Sequence, residues 1–467
     1  MFDTMIRGGH LLTMAGEGVG FVENGAVAIR GRTLVAVGPR AEVEAQDDAR
    51  EIIDATDCLV MPGLVDAHVH SSALFQRGRS VDVAGWTREP VAPPSALGPK
   101  DTWLAAMLAL IEGVGSGTTT FADVGLGMAG CVQAHVTMGN RAVVAEAISE
   151  QRPRPAGPGE LPGIDVEAGR DAFARALALA EQWDGFDGGR LSVALSPESV
   201  DRMSTSTLLR IVGQARQLGL PLRVPVARHL GENSAALVRH GLRTVPYLDH
   251  LGVLGPDLIV THLGAAADDE VELVVRRGAR LVACGASMLG SDGSLPPLAL
   301  FKALGGAVAL GSDEAAFPQT HNMFSQMRAV ALGACARQGG ALAMPPWQIL
   351  RSATLEGARV LGLEAHVGSL EPGKAADLIM LDLTRPPLAP LTLGPARNLV
   401  PTLVGAETGR NVLLSMVAGR VIYRDGRFAH VDPADVHRQL ADARSRQPVA
   451  PEIAPRSLEA ITRADVL

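Results

Sequence analysis

The feature that most constrains the fold is a repeated alternation of short apolar segments and amphipathic helical segments in the central part of the chain. Several of the apolar segments are nearly continuous hydrophobic runs, which is typical of parallel strands that are buried on both faces. Helical periodicity fills the intervals, for example over residues 101–113, 171–182, 206–218 and 268–276. The predicted strands cover residues 59–70, 118–124, 141–148, 190–195, 221–227, 258–262, 280–284 and 307–312.

Eight strand–helix units of this kind predict an α/β protein built as a (β/α)8 barrel, the TIM barrel. A doubly wound parallel sheet uses the same units and is the alternative. The chain has 467 residues, and 47% of them are hydrophobic. A core of the size that either fold needs can therefore be filled.

The two ends of the chain show hairpin patterns instead. Residues 26–30 alternate, a Gly-Arg-Thr turn follows, and residues 34–37 return. A similar pattern reappears over residues 376–381, 412–417 and 420–423. We therefore predict a small β-sandwich domain that is built from both chain ends. The predicted division is residues 1–60 with 367–430 for this domain, 61–366 for the barrel and 431–467 for a C-terminal helical tail.

Composition excludes several classes of function. The net charge is −8 and no Lys or Arg run resembles a nucleic-acid footprint. No segment resembles a signal peptide or a membrane span, so we expect a cytoplasmic protein that binds neither nucleic acid nor membranes. The chain contains no Cys-x-x-Cys pair, which argues against a thiolate zinc cluster and against zinc deaminases of the base-editing type. The four widely spaced cysteines are Cys58, Cys131, Cys284 and Cys335, and we expect them to be reduced.

The segment Met61-Pro-Gly-Leu-Val-Asp-Ala-His-Val-His70 carries two histidines two residues apart on a predicted strand. Side chains at this spacing point to the same face of a strand. His68 and His70 can therefore present two imidazoles to one metal ion.

Further titratable residues stand where other predicted strands end. His262 ends the sixth strand, Asp313 directly follows the eighth, and His229 and Glu232 follow the fifth. The carboxyl ends of barrel strands meet at one rim, which is where such folds place their chemistry. Imidazole and carboxylate groups suit zinc, and a neighbouring group of either type can carry protons during hydrolysis. We expect Asp313 to bind the ion, to accept a proton from its water, or to do both.

Several segments that span most of the chain resemble signatures of the metal-dependent amidohydrolase superfamily. The similarity is greatest to its deaminase and triazine chlorohydrolase branch, which acts on purines, pyrimidines, triazines and similar amidine-like rings. The segments are Pro62-Gly-Leu-Val-Asp-Ala-His-Val-His70, Gly115-Ser-Gly-Thr-Thr-Thr-Phe-Ala-Asp123, Val308-Ala-Leu-Gly-Ser-Asp313, His321-Asn-Met-Phe-Ser-Gln-Met-Arg328 and Gly368-Ser-Leu-Glu-Pro-Gly-Lys-Ala-Ala-Asp-Leu378.

The resemblance implies one divalent ion, held by His68, His70, a histidine of the fifth strand and Asp313. It implies that His262 shuttles protons or orients water, and that a glutamate three residues after the fifth-strand histidine donates a proton. By residue type and spacing, that histidine and glutamate are His229 and Glu232. Zinc is the default ion, and iron, cobalt and manganese fit the same ligands.

The fifth strand departs from the family pattern. Counting from the flanking residues, the usual histidine position falls on Pro225 and the usual glutamate position on Arg228. Neither side chain can take over the expected role, because proline cannot bind a metal and arginine stays protonated at neutral pH. Either the strand extends by about four residues, or the site is rebuilt and His229 reaches in from the loop. The seventh strand also departs, since Ala283-Cys-Gly-Ala-Ser-Met288 lacks the usual His-Asn and Ser-Asn pairs.

The predicted function is therefore metal-dependent hydrolysis of a non-peptide carbon–nitrogen bond in a small molecule. The first candidate is deamination of an amidine-like heterocycle by metal-bound hydroxide. The alternatives are hydrolysis of an amide, urea, thiocarbamate or halide bond, or of a peptide-like substrate in a biosynthetic pathway. A catalytically inactive barrel that acts as a binding protein is a further alternative. Members of the family often assemble, so we also predict a homo-oligomer.

Overall fold

The computed structural model describes residues 1–77, 98–151, 161, 163–291, 293–314, 319–337, 344–391 and 395–445. Strands and helices alternate through the centre of the chain, so the α/β class predicted from the sequence is confirmed. Within residues 431–445 of the predicted C-terminal tail the structure contains a helix, and the rest of that tail lies outside the described residues.

Nineteen strands lie in the described residues. They are β1 (Phe2–Leu12), β2 (Phe21–Arg30), β3 (Thr33–Pro39), β4 (Ala49–Asp54), β5 (Cys58–Pro62), β6 (Leu64–His70), β7 (Thr118–Gly125), β8 (Arg141–Ile148), β9 (Leu191–Val193), β10 (Ser196–Pro197), β11 (Leu222–Val226), β12 (Leu258–His262), β13 (Arg280–Ala283), β14 (Val308–Leu310), β15 (Asp313–Glu314), β16 (Leu378–Asp382), β17 (Val412–Val417), β18 (Arg420–Arg424) and β19 (Arg427–Phe428).

The helices in the same residues are α1 (Arg40–Glu44), α2 (Pro99–Gly115), α3 (Ala129–Met138), α4 (Val166–Trp183), α5 (Thr205–Leu218), α6 (Leu230–His240), α7 (Thr244–His250), α8 (Asp268–Arg276), α9 (Gly285–Ser291), α10 (Leu298–Ala303), α11 (Met323–Arg337), α12 (Pro346–Ser352), α13 (Leu355–Leu361), α14 (Pro395–Gly405) and α15 (Pro433–Ser445). Short 3-10 turns cover Ser71–Gln76 and Val200–Arg202, and Phe186–Gly189 forms a distorted helical turn. The limits of α5 have a local cause: the Ser204 side chain accepts a hydrogen bond from Thr207 N, and Gly219 ends the helix in a left-handed conformation.

The strands that carry the histidine motif pair in parallel. One sheet has the order β10-β8-β7-β6-β15 with β9 on β8, and a second has the order β11-β12-β13-β14. A parallel bridge between Leu195 and Leu222 connects the two sheets on one side. On the other side β15 follows β14 after two residues and pairs with β6. The carboxyl ends of these strands therefore point in one direction.

The first predicted strand is two strands in the structure, which corrects the prediction of one continuous strand over 59–70. β5 pairs with β16 in antiparallel register, whereas β6 pairs with β7 in parallel register. The two strands are separated by Gly63, where a Cβ atom would lie 2.0 Å from Thr119 Oγ1. Only glycine permits that approach, so Gly63 lets the chain pass from one sheet to the other.

The predicted pairing of the two chain ends is confirmed by a nine-stranded sheet that contains β1 to β5 and β16 to β19. Its central contact is the antiparallel pair of β5 and β16, in which Val60 lies opposite Met380. A core cluster joins buried side chains from both ends, among them Ile29, Leu34 and Leu414. Among the described residues, no helix is both long enough and apolar enough to span a membrane.

Candidate active site and metal centre

A cavity of about 640 Å³ opens at the carboxyl ends of the parallel strands. It collects four side chains from three strands, which the sequence singles out separately. His68 and His70 come from β6, His262 from β12 and Asp313 from β15. The structure therefore brings together the four residues that the motif and the strand-end rule predicted as neighbours.

Asp313 is the centre of this group. Its Oδ1 atom lies 3.5 Å from Nε2 of His68 and 3.5 Å from Nε2 of His70. Its other oxygen, Oδ2, accepts a hydrogen bond from the Ser287 hydroxyl at 2.5 Å. One carboxylate oxygen is thus held by the protein, while the other faces two imidazoles.

A buried contact between β6 and the β14–β15 connection sets this arrangement. Asp66 accepts hydrogen bonds from the backbone nitrogen and the hydroxyl of Ser312, the residue that precedes Asp313. The strands approach closely at Gly311, where a Cβ atom would lie 2.8 Å from the Cβ of His68. Burial raises the pKa of Asp66 to about 7, although hydrogen bonds from Ser312 and His68 oppose the rise. Asp66 and Ser312 flank predicted site residues in the sequence, but no sequence pattern assigned either of them a role.

His262 completes the group. Ligand atoms of His68, His262 and Asp313 all lie within 4.8 Å of one another, which is compatible with a shared metal ion. His262 has a φ of 79° and Asp313 a φ of 60°, so two site residues adopt the left-handed region that side chains usually avoid. Such backbone conformations cost about 1–3 kcal/mol each and cluster at functional sites.

The fifth strand ends at Val226, so it does not extend to His229 and the first of the two alternatives from the sequence is wrong. His229 instead stands at the start of α6, where its Nδ1 atom accepts a hydrogen bond from Glu232 N at 3.1 Å. The imidazole lines the cavity, but it does not belong to the group of close ligand atoms among the described residues. Its role as a metal ligand stays a prediction.

The side chain of Glu232 binds backbone nitrogens of the preceding turn. Its carboxylate accepts hydrogen bonds from the backbone nitrogens of Ala227 and Arg228, at 2.7 and 2.9 Å. Burial raises the pKa of Glu232 to about 7, against the effect of those hydrogen bonds and of the Arg228 charge. Glu232 is not among the cavity-lining residues, whereas Pro225 and Arg228 are. Pro225 and Arg228, which occupy the positions where the family pattern has a histidine and a glutamate, are therefore the residues that face the cavity.

Arg223 contacts the site from β11 and is not among the residues predicted from the sequence. It lies on β11 two residues before Pro225, and only 1% of it is exposed. Its Nη2 atom is 3.1 Å from Ala67 O, 3.2 Å from Ala122 O and 3.0 Å from His68 Nδ1. The available signal was an arginine inside the apolar run Leu222-Arg-Val-Pro-Val226, where a charge needs buried partners.

Burial favours the uncharged imidazoles of His68 and His262. It lowers the pKa of His68 to about 3 and the pKa of His262 to about 4. Burial also acts to raise the pKa of Asp313, but the imidazoles of His68, His262 and His70 outweigh it and hold that pKa well below its usual value. At neutral pH the Asp313 carboxylate therefore lies beside the uncharged imidazoles of His68 and His262, the protonation states in which these side chains bind metals.

The hydrogen bonds of His70 fit a cation. Its Nδ1 atom lies 2.7 Å from Val124 O, and a carbonyl can only accept, so Nδ1 carries the hydrogen. The Nε2 lone pair then faces a carboxylate oxygen at 3.5 Å, which places two acceptors opposite each other. In addition, Nε2 of His68 and Nδ1 of His262 are buried without a hydrogen-bond partner among the described residues. A divalent cation would satisfy these acceptors, so the residues fit the implied metal.

The model of the amidohydrolase family matches residues 59–422, which contain all of these side chains. This chain belongs to the amidohydrolase family. The predictions of the superfamily and of a hydrolytic enzyme are thereby confirmed. The match begins within β5 and ends within β18, so it covers the parallel strands together with part of the nine-stranded sheet.

Curated relatives in the family are named as deaminases. The chain is 35% identical over 426 residues to a 5-methylthioadenosine/S-adenosylhomocysteine deaminase of Nitratidesulfovibrio vulgaris (strain Miyazaki F), covering 91% of this chain and 93% of the relative. It is 29% identical over 446 residues to a 5'-deoxyadenosine deaminase of Methanosarcina mazei, covering 95% and 98%. The predicted deamination chemistry agrees with the names of these amidohydrolases.

Solved structures give the same picture of the fold. An adenosine deaminase from Xanthomonas campestris with bound zinc has a TM-score of 0.86 and 26% identity, covering 95% of this chain and 98% of that chain. An atrazine chlorohydrolase from Arthrobacter aurescens complexed with zinc has a TM-score of 0.80 and 20% identity, covering 94% and 99%. This second likeness concerns the fold alone.

Proposed function

We propose that this amidohydrolase is a metal-dependent deaminase that removes the amino group from the adenine ring of a nucleoside. The observation that carries the proposal is the convergence of Asp313 with His68, His70 and His262 in one cavity. The names of the relatives supply the substrate class, since they include deaminases of 5-methylthioadenosine, S-adenosylhomocysteine and 5'-deoxyadenosine.

The same residues support a single divalent ion, with zinc as the first choice, held among these four side chains. When bound, such an ion lowers the pKa of water and supplies a nucleophile at neutral pH. Asp313 Oδ1 is the oxygen available to accept a proton, since Oδ2 is engaged by Ser287. His262, neutral and buried beside Asp313, can carry that proton to the departing nitrogen.

The proposal includes the architecture. The parallel pairing runs from β6 through β7 and β8 to β11 and on to β14, and the β15–β6 pair returns to the first strand. This order supports a closed eight-stranded (β/α)8 barrel. An antiparallel bridge between Thr33 and Ala375 and the shared core of both chain ends support a folded-over, sandwich-like small domain. The predicted division into 1–60 with 367–430, 61–366 and 431–467 is retained as part of the proposal, as are the small-molecule substrate, the homo-oligomer and the cytoplasmic location.

One observation favours a second candidate, hydrolysis that expels a group needing no proton. Ammonia must be protonated as it leaves, yet Arg228 faces the cavity where the family pattern places a glutamate. A halide leaves without a proton. Release of chloride from a chlorinated heterocycle is therefore the alternative to release of ammonia.

The test is an assay of ammonia release by zinc-loaded protein with adenosine, 5'-deoxyadenosine, 5'-methylthioadenosine and S-adenosylhomocysteine. We expect turnover of at least one of them, and none by the D313N variant. Chloride release from chloro-substituted purines or triazines without ammonia release from any amino compound would favour the second candidate. Absence of both reactions in a zinc-loaded chain would contradict the proposed chemistry.

A further inference from the structure

Arg228 brings a positive charge into the cavity beside the four convergent side chains. It lines the same cavity as His262 and Asp313. Burial lowers the pKa of His262 to about 4, Asp313 opposes that shift, and the Arg228 charge adds to it. The guanidinium therefore lies close enough to the centre of the site to act on charges that form there.

The backbone at Arg228 is fixed from two sides. Glu232 accepts hydrogen bonds from the backbone nitrogens of Ala227 and Arg228, at 2.7 and 2.9 Å. The loop after His262 is connected to the same turn, because Ala265 N donates to Ala227 O at 2.8 Å. Ala227 has a φ of 48°, in the left-handed region that side chains usually avoid. Such a conformation persists only where surrounding contacts impose it, so the position of Arg228 is set by the fold.

The half-buried guanidinium of Arg228 retains hydrogen-bond donors for a ligand. A guanidinium has five N–H groups and no acceptor. Among the residues that the structure describes, its side-chain partner is His229, with Nε2 3.3 Å from Nη2 of Arg228, and no carboxylate forms an ion pair with it. Arg202, a second arginine of the cavity, is paired with Glu198 at 3.8 Å. Arg228 therefore favours a ligand that offers an electron-rich acceptor.

The proposed hydrolysis creates such an acceptor. When the oxygen of water bonds to the ring carbon that carries the amino group, the π electron pair of the carbon–nitrogen double bond moves onto the adjacent ring nitrogen, N1 in adenine. Asp313 takes the proton of the water and His262 passes it to the departing amino group, as proposed above, so Arg228 transfers no proton. The electron pair returns to the ring as ammonia leaves. Release of chloride moves the same electron pair.

We propose that Arg228 is a catalytic residue that donates a hydrogen bond to the ring nitrogen beside the reacting carbon and stabilises the negative charge that develops there. A fixed cationic donor acts more strongly on a charge that appears during the reaction than on the neutral substrate. Where the family resemblance implies a glutamate that donates a proton, Arg228 supplies a charge and keeps its proton. This inference rests on the proposed function, because it requires an aromatic nitrogen heterocycle in the cavity.

The first test measures whether Arg228 contacts that nitrogen. Purine riboside has no amino group to lose, and 1-deazapurine riboside is the same compound with a C–H group in place of N1. Isothermal titration calorimetry gives the affinity of both compounds for the zinc-loaded full-length chain and for zinc-loaded R228M. We expect wild type to prefer purine riboside by at least about 10-fold, the usual contribution of a hydrogen bond to a charged group. R228M should lose most of that preference, and an equal preference in both proteins would overturn the proposal.

Three further variants control for other effects of the substitution. R228K keeps a cationic donor and should retain part of the preference. R228Q removes the charge, should lose most of the preference, and replaces R228M if that variant does not fold. R202M removes the arginine that is paired with Glu198, so the preference should remain. An equal loss in R202M and R228M would assign the preference to the total charge of the cavity and would overturn the role of Arg228.

The second measurement is turnover. We expect kcat of R228M to fall by at least about 100-fold, the cost of removing one donor that stabilises developing charge, while its zinc content per chain equals that of wild type. The loss applies to ammonia release and, if the second candidate holds, to chloride release. An unchanged kcat in R228M would overturn the proposal. Turnover of adenine nucleosides by a wild type that does not prefer purine riboside would overturn this role and leave the proposed function intact. Neither binding nor turnover by the zinc-loaded wild type would overturn both.

Discussion

The imidazole of His229 caps the helix that carries Glu232, with Nδ1 of His229 3.1 Å from the backbone nitrogen of Glu232. Glu232 in turn binds the backbone nitrogens of Ala227 and Arg228. The two residues that match the family's His-x-x-Glu spacing thus stabilise the turn between β11 and α6. In this chain the His-x-x-Glu spacing places the two residues in a local helix-capping arrangement.

This relationship makes His229 a residue for stability. We expect H229A to lower the free energy of unfolding by about 1 kcal/mol, the usual cost of losing a helix cap. H229N, which keeps a side-chain acceptor at the cap, should lose less. Chemical denaturation measures both. The zinc affinity of H229A should stay within about 10-fold of wild type, because removing even an outer hydrogen-bond partner of a metal ligand costs at least that much affinity. A larger loss would show that His229 binds the ion.

Asp313 is the group on which both metal binding and turnover depend. D313N replaces an anionic ligand by a neutral amide, so we expect zinc affinity to fall by more than about 100-fold and turnover by at least about 100-fold. The metal content per chain and the rate of ammonia release measure these effects. D268N, a change at an exposed position in the first turn of α8, is the matched control and should behave as wild type. Retention of zinc by D313N would remove Asp313 from the ligand set.

Pro225 faces the cavity at the position where the resemblance implies a histidine. P225H should add a ligand, and we expect zinc affinity to rise by at least about 10-fold. Competition with a chelator measures the change, and P225A controls for the loss of the proline ring. An affinity no higher in P225H than in P225A would mean that β11 does not direct this position toward the ion.

Gly311 allows β14 to lie against His68. In G311A the new Cβ would lie 2.8 Å from the His68 Cβ and 2.9 Å from its carbonyl oxygen, so the strands must separate. We expect the free energy of unfolding to fall by about 1–3 kcal/mol. G213A in α5 is the matched control, because nothing lies within 4 Å of its new Cβ and the helix should gain about 0.5–1 kcal/mol. Equal stabilities of the two variants would contradict the close packing at His68.

The stability of the chain should depend on the ionisation of Glu232. Its pKa in the folded state is about 7, above the ordinary 4.5, so folding favours the protonated form. The contribution of protonated Glu232 to the free energy of unfolding is fully present below pH 4.5 and is lost as the pH rises to about 7. Relative to E232Q, wild type should lose about 3 kcal/mol across that range. Denaturant midpoints of both proteins between pH 4.5 and 8 measure the difference, and parallel curves would contradict the prediction.

The sequence determined the features that depend on short-range periodicity. Runs of apolar residues predicted the parallel strands, and the two-residue spacing of His68 and His70 predicted a shared face. The rule that strand ends converge predicted His262 and Asp313 at the same site. These inferences succeed because strand direction and side-chain alternation are set by the local backbone.

The roles of Arg223, Asp66 and Glu232 depended on the tertiary structure. Each role depends on which carbonyl, amide or ring nitrogen lies within about 3 Å, and those partners are distant in sequence or lie across a turn. Arg223 is 155 residues from His68, and Asp66 is 246 residues from Ser312. The sequence alone also could not decide where β11 ends, because Val226, Ala227 and Arg228 continue the residue pattern of the strand. The fold decided it by turning the chain at Ala227, which has a φ of 48°, and so directed His229 to a helix cap.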